Sequence, residues 1–175
     1  LDGGNFFQGS PLGLADNGQT MINWMNRIGY DAMVPGSYDF ISGAENLNKL
    51  STLANFPFLY SNLDCNNCPL INSNIKPYII KEIEGIRIGI LGVVNSQLKE
   101  LVLAENLSGT NADKEVYSAR EWIPKLKSSG ADLIIILTSS GVPWDREDEY
   151  EIFVKKVSSG EIDETSSLNA LQMAY

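Results

Sequence analysis

At 175 residues the chain is long enough for one domain with a sizeable core. Apolar residues make up 43% and charged residues 20%, ordinary proportions for a globular protein. The net charge of −9 argues against a general nucleic-acid or membrane-surface binder, because phosphates would be repelled. Histidine is absent, which excludes Ser-His-Asp and Cys-His chemistry within this chain and removes the commonest ligand for Zn, Mn and Fe. No apolar run approaches the roughly 20 residues of a membrane span. No signal peptide or lipidation motif is visible, and a start at Leu1 suggests a processed or truncated chain.

In chain order, "FFQGSPLGLADNGQ" reads as a loop rich in Gly, Pro and Asn. "TMINWMNRIG" places Met21, Ile22, Trp24, Met25 and Ile28 at near-helical spacing, with Gly29 as the stop. "DAMVPG" predicts a short buried strand closed by a turn. "GAENLNKLSTLA" predicts a helix with Leu47, Leu50 and Leu53 on one face, and "FPFLYSNLD" another strand. "KPYIIKEIEGIRIGILGVV" alternates on both sides of Glu84-Gly85 and predicts a hairpin. "LKELVLAENLSGT" fits no single element.

"DKEVYSAREWIPKLKSSG" predicts a helix with Val116, Ala119, Ile123 and Leu126 apolar, and Pro124 suggests a kink in it. "ADLIIILTSSG" predicts a fully buried strand from its apolar run Leu133 to Leu137. "DREDEYEIFVKKV" predicts a helix whose acidic start and basic end suit the helix dipole; its acidic start reads as a solvated face rather than a cation site. The domain spans residues 1–157, and residues 158–175 form a linker or the start of a further element.

Strands alternating with helices indicate a layered α/β fold, in which ligands gather at the carboxyl ends of strands. Loops leave predicted strand ends at Gly3-Gly4-Asn5, Gly36-Ser37-Tyr38-Asp39, Asn95-Ser96 and Thr138-Ser139-Ser140-Gly141, so their polar residues are candidates for one cleft. Trp144, just beyond the last loop, is a candidate cleft residue, whereas Trp24 and Trp122 are expected in the core or in helix–sheet packing. The C-x-x-C of Cys65 and Cys68 fits a redox pair, half a zinc site or a small disulfide loop. Pro69 stands where haem attachment would need His, and the following residues read as a loop; a local disulfide is favoured if the protein is exported, with reduced thiols next.

Those loops also carry a resemblance. "LDGGNFFQGSPLG", "MINWMNRIGYDAMVPGSYDF", the hairpin segment and "ADLIIILTSSG" resemble, in order and spacing over roughly residues 1–157, the 5′-nucleotidase branch of the calcineurin-like metallophosphoesterases. The resemblance implies a layered α/β sandwich with a mixed sheet. It also implies two divalent ions, such as Mn or Zn, that activate water and clamp phosphoryl oxygens. Carried over residue by residue, the bridging Asp corresponds to Asn5, the metal-binding Asn to Ser37, the catalytic His to Tyr38, the acidic residue after it to Asp39, and a further metal-binding His to Ser139. Asn5 keeps an acceptor oxygen but lacks the charge that offsets two dications. The Tyr38 ring either fills the vacated space or offers its hydroxyl to a ligand.

The expected function is therefore a degenerate phosphoesterase domain without a cofactor, kept as a binding or structural module. Its cleft would hold a small anionic ligand through backbone N–H groups, or face another protein. The alternatives are an active metal-dependent phosphohydrolase completed by residues outside this chain, and a cell-envelope assembly subunit using the former active face as an interface. By resemblance the compartment is periplasmic or extracellular.

Overall fold

The computed structural model describes residues 1–9, 11–65, 67–167 and 169–174. A short turn of helix α1 (Pro11–Leu14) leads into α2 (Gln19–Ile28), which Gly29 ends in the left-handed conformation. Ile22 and Met25 turn inward from α2. Trp24 follows Ile22 by roughly 200° of helical rotation, so it stays 48% exposed, its ring tilted toward that of Tyr30 with centroids 6.1 Å apart. That corrects the expectation of a core tryptophan there.

The segment after α2 is buried from Ala32 to Gly36, but it forms a ladder rather than a full strand. Asp2, Met33 and Phe58 lie side by side in parallel bridges. A 3-10 turn over Ser37–Phe40 and the helix α3 (Ala44–Leu53) follow, with Leu47 and Leu50 in the core. Strand β1 (Phe58–Leu59) extends the ladder and pairs in parallel with β3 (Ile75–Lys76), after the short β2 (Leu63–Cys65). Strands β4 (Tyr78–Ile83) and β5 (Ile86–Val93) form the expected antiparallel hairpin. Its turn residues Glu84 and Gly85 both have positive φ, 51° and 84°, the geometry whose twist matches a two-residue hairpin.

Short helices α4 (Leu98–Leu101) and α5 (Ala104–Leu107) resolve the segment that the periodicity leaves open, and β6 (Thr110–Ala112) then pairs antiparallel with β2. Helix α6 (Glu115–Ser128) runs on with Pro124 inside it. It covers β5 through Leu126, and Trp122 lies against Tyr78 with ring centroids 5.5 Å apart, the helix–sheet packing expected of it. Strand β7 (Leu133–Thr138) pairs in parallel with β5 and, among the described residues, with no other strand. One edge stays open, so Leu133 is 50% exposed and Ile134 to Leu137 are only partly covered. This corrects the expectation of full burial. Helix α7 (Arg146–Ser158), a 3-10 turn over Glu164–Ser166 and α8 (Ala170–Met173) complete the chain; Met173 packs against the α6–β5 cluster.

The result is an α/β domain with mixed sheets. Its main core lies between α2, α3 and the parallel ladder, around Ile22, Met25, Met33, Leu47, Leu50, Phe56 and Phe58. Burying each such side chain stabilises the fold by about 1.5–3 kcal/mol. The ladder and the hairpin sheet are joined where the Ser61 amide donates to the Gly92 carbonyl at 2.8 Å. Parallel neighbours bring several strand ends to one side, where the candidate loops emerge.

Candidate functional site

Two groups of residues stand at the strand ends. The first joins the loop after Asp2 to the loop after Met33. Asn5 adopts a left-handed conformation, φ 62°, directly after Gly4 at φ 93°. That bend aims the Asn5 amide across the gap, where Asn5 Oδ1 accepts the Tyr38 N–H at 3.0 Å. The approach is close because both loops carry glycine. A Cβ at Gly36 would lie 2.2 Å from Asn5 Oδ1, and one at Gly4 would lie 2.4 Å from the Gly36 nitrogen.

Asp39 locks this arrangement from beneath. It is fully buried, and its carboxylate accepts the N–H groups of Gly36 at 2.8 Å, Asn5 at 2.7 Å and Phe6 at 3.0 Å. Burial pushes its carboxyl up to about 7, Asp2 nearby adds to that, and the three backbone donors pull the other way. Asp39 thus stands at the position that the resemblance calls catalytic, with both oxygens spent on the protein's own backbone. Ser37 is partly exposed beside it. Tyr38 projects outward, its ring 58% exposed, so it does not fill a vacated cavity.

The second group joins the ends of β5 and β7. The Asn95 amide donates to Ser139 Oγ at 3.1 Å, and the Ser139 amide donates to the Val93 carbonyl at 3.3 Å. The buried Asn62 side chain fixes the preceding residue: its Oδ1 accepts the Val94 N–H at 2.9 Å and its Nδ2 donates to the Val94 carbonyl at 2.8 Å. The two groups approach one another at Gly3, where a Cβ would sit 3.6 Å from the Thr138 carbonyl oxygen.

The structure therefore brings Asn5, Ser37, Tyr38 and Asp39 together, and sets Asn95 and Ser139 together beside them. Trp144 is not part of either group. It is 97% exposed and lines a hollow of about 320 Å³ with Asp145 to Asp148 at the start of α7. Cys65 and Cys68 are joined in a disulfide at the end of β2. Sequence reasoning did not single out Asn62 or the buried Glu115, because an Asn between strands and a Glu opening a helix are ordinary in those places.

The donor set can be weighed against a pair of divalent ions. Such a pair needs an anionic bridge and hard or imidazole ligands around it. Asn5 offers a neutral oxygen that already accepts an N–H, and the Ser139 hydroxyl accepts another. Among the described residues, no group of three or more His, Cys, Asp or Glu is placed to hold a metal ion. The residues at these positions do not fit a two-metal centre. What they do offer is a set of hydroxyl, amide and main-chain polar groups at adjoining strand ends.

No family model matches the chain. Among curated proteins, the 5′-nucleotidase of Rattus norvegicus is 32% identical over 151 residues, covering 83% of this chain and 26% of that protein. The trifunctional nucleotide phosphoesterase protein YfkN of Bacillus subtilis is 29% identical over 164 residues, covering 81% of this chain and 11% of that protein. Among solved structures, a 5′-nucleotidase precursor from Thermus thermophilus superposes with a TM-score of 0.72 at 25% identity, covering 79% of this chain and 27% of that one. The chain thus spans about a quarter of the length of the 5′-nucleotidases it matches.

Proposed function

From the homology of this chain to the 5′-nucleotidases and calcineurin-like phosphoesterases, we propose that it is a 5′-nucleotidase-type domain that has lost two-metal phosphate-ester hydrolysis and serves as a binding module. The observation that carries the reading is the state of the acceptors at the strand ends. Asn5 Oδ1, both Asp39 oxygens and Ser139 Oγ are each committed to backbone N–H groups. Freeing them for metal ions would break the contacts that hold the two loops together. The ligand is a nucleoside monophosphate or a similar small anion, bound at these strand ends without metal.

The compartment is periplasmic or extracellular. The Cys65–Cys68 disulfide agrees with an oxidising environment. Among the described residues no helix is long and apolar enough to cross a membrane.

The test is elemental mass spectrometry on the protein after equilibration with Mn and Zn, followed by calorimetric titration with AMP with and without Mn. The expected outcome is near-zero metal and the same AMP affinity in both conditions. Two tightly held ions per chain together with AMP hydrolysis would overturn the reading and restore an active phosphohydrolase.

A second reading, a contact with another protein, is favoured by one observation. Tyr38, Ile41, Leu101, Leu103, Val142 and Trp144, all on segments following the strand ends, are exposed. Large apolar side chains of this kind suit a protein contact. Cross-linking of the protein with its native neighbours, mapped to these residues, tests it.

A further inference from the structure

Glu115, the first residue of α6, is 3% exposed. Its Oε1 accepts two hydrogen bonds, from the Ser96 N–H at 2.9 Å and from the Ser140 hydroxyl at 3.0 Å. Ser96 lies just beyond β5 and Ser140 just beyond β7, so one carboxylate oxygen spans both loops of the second group. The other oxygen, Oε2, is enclosed and, among the described residues, meets no donor. A buried carboxylate with one oxygen unmatched is expensive to desolvate. An apolar side chain at the start of α6 would avoid that cost while filling the same space.

The rest of the helix start is already anchored. Ser118 Oγ meets Ser61 Oγ at 2.5 Å, and Asn62 Nδ2 donates to the Asp113 carbonyl at 2.7 Å. Docking of α6 therefore does not call for a glutamate. What the acceptor oxygen adds is the link between Ser96 and Ser140. Those two are the chain neighbours of Asn95 and Ser139, whose own contact closes the second group.

We propose that Glu115 is the positioning residue of the strand-end cleft: through Ser96 and Ser140 it sets the spacing of the loops that carry Asn95 and Ser139. The functional value of that spacing rests on the reading of the cleft as an anion site; the link itself does not. Glu115 touches neither Asn95 nor Ser139 in the hydrogen bonds described, so its effect on them is indirect and can be told apart from plain loss of stability.

The test compares Glu115→Ala, Glu115→Gln and Ser140→Ala by amide hydrogen exchange in the native state, with the Asn95 amide as the reporter and the Leu47 amide of α3 as the reference. In Glu115→Ala the Asn95 amide exchanges about tenfold faster or more while Leu47 is unchanged. Glu115→Gln, which keeps an acceptor oxygen, restores most of the protection, and Ser140→Ala falls between. Unchanged exchange at Asn95 in Glu115→Ala, or equal acceleration at Asn95 and Leu47, would overturn the proposal.

AMP titration forms the second arm. Affinity falls about tenfold in Glu115→Ala, equivalent to about 1.4 kcal/mol, and is retained in Glu115→Gln. Equal AMP affinity in wild type and Glu115→Ala would overturn the link to the ligand. Absence of AMP binding in the wild type would sink the ligand reading alone, because the exchange pattern still decides the role of Glu115.

Discussion

The two groups at the strand ends are built in opposite ways. The Asn5–Asp39 group is made of backbone: glycines let two loops touch, and one buried carboxylate gathers three N–H groups. The Asn95–Ser139 group rests on side-chain acceptors: Ser139 Oγ takes the Asn95 backbone N–H, and Glu115 takes the Ser96 N–H and the Ser140 hydroxyl. The first is fixed by sterics and has little room to adjust. The second rests on a few hydrogen bonds, each worth about 0.5–1.5 kcal/mol, and can respond to what sits against it. The strand ends thus present one rigid wall and one adjustable wall.

Substitutions can break this contrast, and they rank by expected effect. Gly36→Ala places a Cβ 2.2 Å from Asn5 Oδ1 and 2.8 Å from the Asn5 nitrogen, so one loop must move. Chemical denaturation should show a loss of about 3 kcal/mol; a loss below about 1 kcal/mol would mean that the first group is as pliant as the second.

Asp39→Asn comes next, at about 2 kcal/mol near pH 4, since an amide cannot accept on both sides of the group. Asp39 also supplies a pH signature. Its carboxyl lies at about 7 in the folded protein against 3.8 as the ordinary value. The folded state therefore holds the proton more tightly, and its contribution is full below the lower value and lost as pH rises through the upper one. Wild-type stability should fall between these values by at most about 1.4 kcal/mol per pH unit. Its margin over Asp39→Asn should narrow across the same window. A margin that widens with pH would show that the three backbone donors outweigh burial.

Ser139→Ala removes one partly exposed acceptor and should cost about 1 kcal/mol. A cost as large as that of Gly36→Ala would erase the contrast between the walls. Trp144→Ala, at a side chain that is 97% exposed, should stay within about 0.5 kcal/mol in thermal unfolding. If it weakens AMP binding, the cleft reaches further along α7 than the two groups indicate.

Elements with a strong internal pattern are legible in the sequence alone. The helices α2, α3 and α6 and the β4–β5 hairpin repeat their apolar residues at the spacing their geometry requires, and α7 shows in its acidic start and basic end. The convergence of the strand-end loops was legible too, through the resemblance and through the α/β order. Other features depend on contacts that no local pattern carries. The donors that enclose Asp39 include Asn5 and Phe6, more than 30 residues away in the chain. The burial of Glu115 depends on where β5 and β7 end. Trp24 and β7 were misjudged for one reason: residue type reports a preference for burial, whereas actual cover comes from neighbours elsewhere in the chain.

The open side of β7 offers other copies of this chain a place to pair. Along that edge a run of apolar residues accompanies N–H and C=O groups that no described strand pairs. Such an edge templates the addition of strands from other copies and, with it, filament growth. Opposing that is long-range repulsion between molecules that each carry a charge of −9. The screening distance falls from about 8 Å in physiological salt to about 3 Å at molar salt. Raising the ionic strength therefore removes the repulsion that opposes contact along this edge.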